Sequence, residues 1–134
     1  MNVLVKSARP ILMNIPFVIG IILLVALFRT LVPSQVYLTL FSGTPLDTFI
    51  GAIIGSVSFG NPVVSYVIGG ELEKLGVSLL AITAFIVAWV TVGIVQLPAE
   101  VAMLGKKFAI LRNLFSFLFS ILAAVVIVVL VNVL

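Results

Sequence analysis

Cysteine and histidine are both absent from this chain of 134 residues. Without cysteine there can be no disulfide, thiolate metal site or redox pair, and without histidine no imidazole base. No metal-ligand set or cofactor motif replaces them, so none is expected. Charge is nearly as scarce. Only 8% of residues are charged and 63% are hydrophobic, against about 25% and about 45–50% in soluble domains. So few charges cannot clothe an exterior in water, and the solvent for this chain reads as lipid. The net charge of +3 is spread over scattered Lys and Arg. No basic tract marks a nucleic-acid partner, and cations beside membrane spans normally record topology.

What is there is long apolar segments. The composition and their spacing predict an all-α fold, a polytopic integral membrane helical bundle forming one transmembrane domain over 1–134. A basic lead with Lys6 and Arg9 precedes a first span, about 10–31, closed by Arg29 and Pro33. Its apolar run from Ile11 to Phe28 exceeds the ~7–15 residues of a signal-peptide core and leads into more membrane sequence. It therefore reads as a span. A second apolar segment occupies 45–75, a third 78–97 and a fourth 111–134, with Glu100, Lys106, Lys107 and Arg112 in the last connection.

The second segment carries the main functional signal. Ser58-Phe59-Gly60-Asn61-Pro62 interrupts it near its middle, where glycine is flexible and proline removes a donor. Hydrocarbon offers no partner for a freed backbone group, so such a break needs protein or a wet cavity around it. Broken helices of this kind build mid-membrane sites in many transporters. Thr44, Pro45 and Asp47 fit N-cap, N1 and N3 of the helix before the break, and Asn61-Pro62 fit N-cap and N1 of the helix after it, which stops at Gly76. Gly51 and Gly55 have the spacing that lets two helix backbones approach closely.

The segment is either a tilted broken helix crossing once or a re-entrant hairpin with its tip at Ser58–Pro62. A crossing leaves cations balanced between the two faces and permits insertion both ways, with antiparallel self-pairing. A hairpin groups Lys6, Arg9, Lys106, Lys107 and Arg112 on one side and puts the N-terminus in the cytoplasm. In both, the second helix would present free N–H groups and its positive dipole end to the break, which suits an anionic or electron-rich ligand group. Ser58, Gly60, Asn61 and Ser65 are the expected ligand contacts, with Ser56 nearby.

Elsewhere, Trp89, Gly93 and Gln96 fall on one helical face that Glu100 extends. Trp89 and Gln96 are candidate ligand contacts, and Trp89 read as lining a pathway stands beside Trp89 read as packing. Glu100 is the candidate for proton coupling if it lies within the bilayer; at the interface it would only solvate a chain end. Ala81, Ala84, Ala88 and Thr91 form a small-residue stripe for helix packing. Asn113, Ser116 and Ser120 face into the bundle for interhelical hydrogen bonds, and Phe115 and Phe119 face lipid. Glu71, Glu73 and Lys74 sit at a membrane surface. Ser56-Val57-Ser58-Phe59-Gly60 lacks the first glycine of a G-x-S-x-G elbow and has no histidine to serve it, so no enzymatic activity is expected.

The stretch GAIIGSVSFGNPVVSYVIGGELEKLGVSLLAITAFIVAWVTVGIVQLPAE (51–100) with LGKKFAILRN (104–113) resembles the repeat unit of the predicted permeases that include trivalent organoarsenical exporters. The small-residue helix, the polar break and short helix, the Lys74-x-Gly76 connection, the Ala84–Ala88 segment and the Gly105–Ala109 run carry the likeness. The efflux members hold a cysteine-containing motif at the break, where this chain has Ser58, Phe59, Gly60 and Asn61, so thiolate coordination of arsenic is impossible here. Those proteins also hold two such units. The resemblance implies a half-size permease subunit in a prokaryotic plasma membrane, a multi-pass protein that forms a homodimer or higher oligomer in the lipid bilayer and moves a small-molecule or ion substrate. A non-transporting assembly or scaffold subunit and a passive pore are the competing expectations.

Overall fold

The computed structural model describes residues 15–16, 19–24, 26–27 and 29–134. Met1–Pro33 and Ser34–Leu134 are two compact units. In the first, the described residues between 15 and 31 are helical, and the Thr30 hydroxyl donates to the Ala26 carbonyl at 2.9 Å. The basic lead with Lys6 and Arg9, and the start of the expected 10–31 span, lie outside the described residues.

The second unit is all-helical, with no strand among the described residues. Its elements are α1 (Ser34–Leu40), α2 (Leu46–Val57), α3 (Pro62–Lys74), α4 (Leu79–Thr91), α5 (Leu97–Leu104) and α6 (Lys106–Val133). Among the described residues one helix, α6, is long and apolar enough to cross a membrane, and only 11% of its most apolar stretch is buried. At 1.5 Å per residue its 28 residues extend about 42 Å, while α2, α3 and α4 reach only about 18–20 Å each.

Capping interactions set four of these boundaries. Helix α2 starts one residue later than expected, and Thr44 is not its side-chain cap. The buried Asp47 carboxylate turns back instead, accepting from the Ser42 and Gly43 N–H groups at 3.2 and 2.7 Å and from the Thr44 hydroxyl at 3.1 Å. Its two oxygens take three donors, so Thr44 donates where it was expected to accept. Helix α3 opens as its sequence implies, with Asn61 Oδ1 accepting from Val63 N at 2.9 Å and Pro62 in the first turn. It closes at Gly76, whose φ of +85° is open to glycine at little cost. Gly76 N donates to Glu73 O and Val77 N to Leu72 O, the paired bonds of a Schellman ending, with Leu72 and Val77 buried. Ser78 Oγ then caps α4 by accepting from Ala81 N.

Helix α4 is the centre of the unit. A Cβ on Gly51 would run into the Ala81 carbonyl oxygen, and one on Gly55 into that of Phe85. The two contacts advance together along both chains, so α2 runs parallel to α4. Helix α3 runs the other way. Gly60, at its start, lies beside Trp89, whereas Gly69, near its end, packs on Ile82 and Ile86. The chain therefore reverses direction between α2 and α3. Helix α6 lies antiparallel on the remaining side: Asn113 bonds Gly93, and Ala124 packs with Ala52, Ala84, Ala88 and Val92. The expected alanine stripe is thus buried at Ala81, Ala84 and Ala88.

Two expected spans have different bounds as helices. The 78–97 span stops at Thr91, where Val92 turns extended at φ −94° and ψ 118°, and α5 restarts at Leu97 with proline in its first turn. The β-branched run Val90-Thr91-Val92 followed by Gly93 weakens the helix, and Pro98 favours a new first turn. The last helix begins at Lys106, not 111, joined to α5 through Gly105 at φ +88°.

Gly55→Ala is expected to destabilise the protein by about 1–3 kcal/mol, because a backbone carbonyl cannot move aside as a side chain would. Gly70→Ala on α3, where a Cβ meets nothing within 4 Å, should instead gain up to about 1 kcal/mol of helix propensity. Thermal unfolding of both variants in the same detergent checks the contrast.

Candidate functional site

The two non-helical stretches, Ser58–Asn61 and Val92–Gln96, face one another. Between them lies a half-open cleft of about 200 Å³ whose lining includes Ser58, Gly60, Trp89, Gly93, Gln96 and Arg112. Trp89 spans the gap from α4 to the first break. Its Nε1 points to the Gly60 carbonyl at 3.5 Å, and its ring meets Phe85 edge to face at 5.4 Å between centroids. Trp89 thus packs on Phe85 and forms part of the cleft wall. Gly60 has φ +137°, a backbone region kept for glycine, so a side chain there would be strained.

Beyond the cleft a polar network closes the second break. The Glu100 carboxylate on α5 pairs with Arg112 on α6 through Oε1. Its Oε2 accepts from Asn113 Nδ2 at 2.9 Å. Asn113 Oδ1 in turn accepts from Gly93 N at 2.8 Å, and its amide also reaches the Ala109 carbonyl at 3.0 Å. Arg112 extends a second nitrogen towards the Thr91 carbonyl at 3.5 Å. This one cluster supplies partners to backbone groups that the end of α4 leaves without helical ones, as buried peptide groups require. The Glu100 side chain is 15% exposed and that of Arg112 37%, so the cation is the partner that the cleft meets.

The expected site residues divide. Ser58, Gly60, Trp89 and Gln96 line the cleft. Asn61 and Ser65 are not among its lining. Asn61 spends its carboxamide oxygen on Val63 N, and the fully buried Ser65 hydroxyl donates to the Pro62 carbonyl at 2.7 Å. Two of the expected N–H groups at the start of α3 are spent on its own cap. Pro62 has none, Val63 donates to the Asn61 side chain, and Val64 donates to the Asn61 carbonyl at 2.9 Å.

Gly93, Gln96 and Glu100 do converge, but through a turn and not along one helical face. A Cβ on Gly93 would stand 3.1 Å from Gln96 Oε1 and 3.5 Å from Glu100 Oε1. Ser56 and Ser120 are buried, each bonding its own helix, whereas Ser116, with Arg112, borders a shallow apolar groove. Glu71 pairs with Lys74 at 3.0 Å at the end of α3. Arg112 is the residue that sequence reasoning missed, having been placed in a connection. Its signal was opposite charge on either side of Gly105, a break short enough to fold Glu100 back on α6. Among the described residues no cluster of His, Cys, Asp or Glu could hold a metal ion.

No protein-family model, curated protein or solved structure matches the chain.

Asn61→Ala should cost about 1 kcal/mol by loss of the cap, with Asn61→Ser recovering most of it. Asn113→Leu removes the acceptor of Gly93 N and a donor to Glu100, and should cost about 1–3 kcal/mol. Thermal unfolding of the three variants under identical conditions measures both effects.

Proposed function

We propose that this chain is a subunit of a membrane permease whose solute site is the cleft between the Ser58–Asn61 and Val92–Gln96 breaks. The observation that carries this reading is a polar cleft built from two facing interruptions of helix in a chain whose outer surface is apolar. Non-helical backbone at membrane depth is tolerated where protein or a water-lined cavity satisfies it, and transporters use that tolerance to bind solutes. The cleft lies level with Asn113, about 10 Å along α6 from Lys106 at 1.5 Å per residue.

Charge placement supports a membrane setting. No charged residue occurs in 48–70, 75–99 or 113–134. Asp47, Glu71, Glu73 and Lys74 gather where α4 begins, and Lys106 and Lys107 stand at the other end of the bundle. From Lys106 to Ala124, which packs with Ala84, α6 rises about 27 Å at 1.5 Å per residue, close to the ~30 Å of a hydrocarbon core. On this reading α2 and α3 form a re-entrant hairpin that enters and leaves through one face. The broken segment, the multi-pass topology, assembly as a homo-oligomer and the likeness to predicted permeases belong to the same proposal. Glu100, the carboxylate adjoining the cleft, is its proton-coupling residue. The small-residue contacts of Gly51, Gly55, Ala84 and Ala88 are spent inside the chain, which leaves little of the packing surface that a scaffold reading would use.

Single cysteines at Ser58 and Gln96, introduced into the cysteine-free chain, test the proposal in sealed vesicles with a membrane-impermeant thiol reagent. A permease is expected to label at both positions from both faces, because alternating conformations expose one site to each side. A scaffold subunit would leave both unlabelled, and labelling confined to one face would reject alternating exposure.

A further inference from the structure

We infer that the cleft takes a small monocarboxylate, held by Arg112, and that Glu100 is the resident carboxylate which the solute replaces. The inference rests on the cleft being the solute site and names what that site would bind.

Four observations lead to it. Val63 and Val64 at the start of α3 spend their N–H groups on Asn61, which leaves a side-chain cation as the stronger partner for an anion in the cleft. Among the described residues, Arg112 is the one charged residue lining the cleft. Its guanidinium already holds a carboxylate, that of Glu100, and the planar fork suits that group better than it suits a point anion. Finally, the remaining described lining is neutral: Gln96 offers a carboxamide, Ser58 gives its hydroxyl hydrogen to the Ile54 carbonyl at 2.7 Å, and Phe59, Trp89 and Val92 offer apolar wall. Such a site fits a short carboxylate with an apolar stem. A dianion would leave charge without a partner in it.

The pair also explains how an empty site stays tolerable. A lone guanidinium within an apolar bundle is costly, whereas a paired one is much less so. Glu100 neutralises Arg112 when no solute is present. A solute carboxylate competes for the same N–H groups, and Glu100 retains the Asn113 amide at 2.9 Å as its own partner while displaced. Arg112 is therefore a binding residue and Glu100 an internal competitor.

Trp89, the single tryptophan of the chain and part of the cleft wall, reports occupancy directly. Purified protein in lipid nanodiscs is titrated with sodium butyrate, and in parallel with inorganic phosphate, at ionic strength held constant with sodium chloride. Butyrate should change Trp89 emission saturably, phosphate should not, and Glu100→Gln should lower the half-saturating butyrate concentration at least tenfold. Arg112→Gln should abolish the response. Arg112→Lys, which keeps the charge and loses the fork, should weaken it at least tenfold and covers the case in which Arg112→Gln does not fold. A flat butyrate response in folded Glu100→Gln, no tightening in that variant, an unchanged response in either Arg112 variant, or saturation by phosphate alone would overturn the inference. Cleft cysteines that still label from both faces beside such a result would leave a permease for another solute. Unlabelled cysteines would remove the permease reading itself.

Discussion

The close approach of α2 to α4 is the contact on which the remainder of this unit depends. Gly51 and Gly55 bring one helix backbone against the Ala81 and Phe85 carbonyls of another, a separation that any side chain would widen. Because the glycines are four apart, they hold α2 parallel to α4 over more than a turn. The break after Val57 is thereby carried to the level of Trp89. Helix α3 then has to descend along α4, and Gly69 against Ile82 and Ile86 gives it room to do so. Ala52, Ala84, Ala88 and Ala124 extend the same economy of side-chain volume to α6. In the proposed membrane setting this is what would hold the helices together. Lipid tails are as apolar as leucine, so close packing replaces the hydrophobic drive.

Close packing alone would not tolerate the two interruptions. Each exposes peptide groups that an apolar surrounding does not hydrate, and the chain meets that demand differently at each break. At the first, the answer is local: Ser58 N returns to the Ile54 and Gly55 carbonyls, and Asn61 serves Val63 and Val64. At the second, it is tertiary. Asn113 crosses from α6 to accept from Gly93 N, while Glu100 orients the same amide from α5. The first break is consequently a property of a few adjacent residues. The second exists only when α4, α5 and α6 are assembled.

That difference decides what could be read in the sequence. Features set by neighbours in the chain were legible: the Asn61-Pro62 start, the Gly76 stop, the Ser78 cap, and Gly51/Gly55 as a packing pair. The reversal between α2 and α3 was only one of two options, because the cation count that bears on them depends on which ends share a face. The end of α4 at Thr91 went unseen. Gly93 and Pro98 signalled it, but an uncharged and mostly apolar run from 79 to 97 argues for continuous helix as long as its new partners, far along the chain, are unknown. Thr44 and Asp47 exchanged roles for a similar reason: the motif named the participants, and the direction of each bond was settled by the loop that Ser42 and Gly43 bring back over the carboxylate.

The site residues show the same division with a sharper consequence. Asn61 drew notice as a ligand group because it is polar and stands at a break, yet that position is where the backbone needs it most. By satisfying the start of α3 it occupies two of the donors on which an anion site at a helix end would rely. What remains of positive character in the cleft is a side chain, Arg112, and a side chain differs from a helix end in being able to change partner. A helix dipole is fixed once the helix forms. An arginine held by a glutamate on a short separate helix can be released by anything that competes for the carboxylate's place. In the proposed site the cap and the ion pair are two halves of one arrangement: the first occupies backbone donors at the break, and the second would move recognition onto a pair of charges whose separation a solute controls.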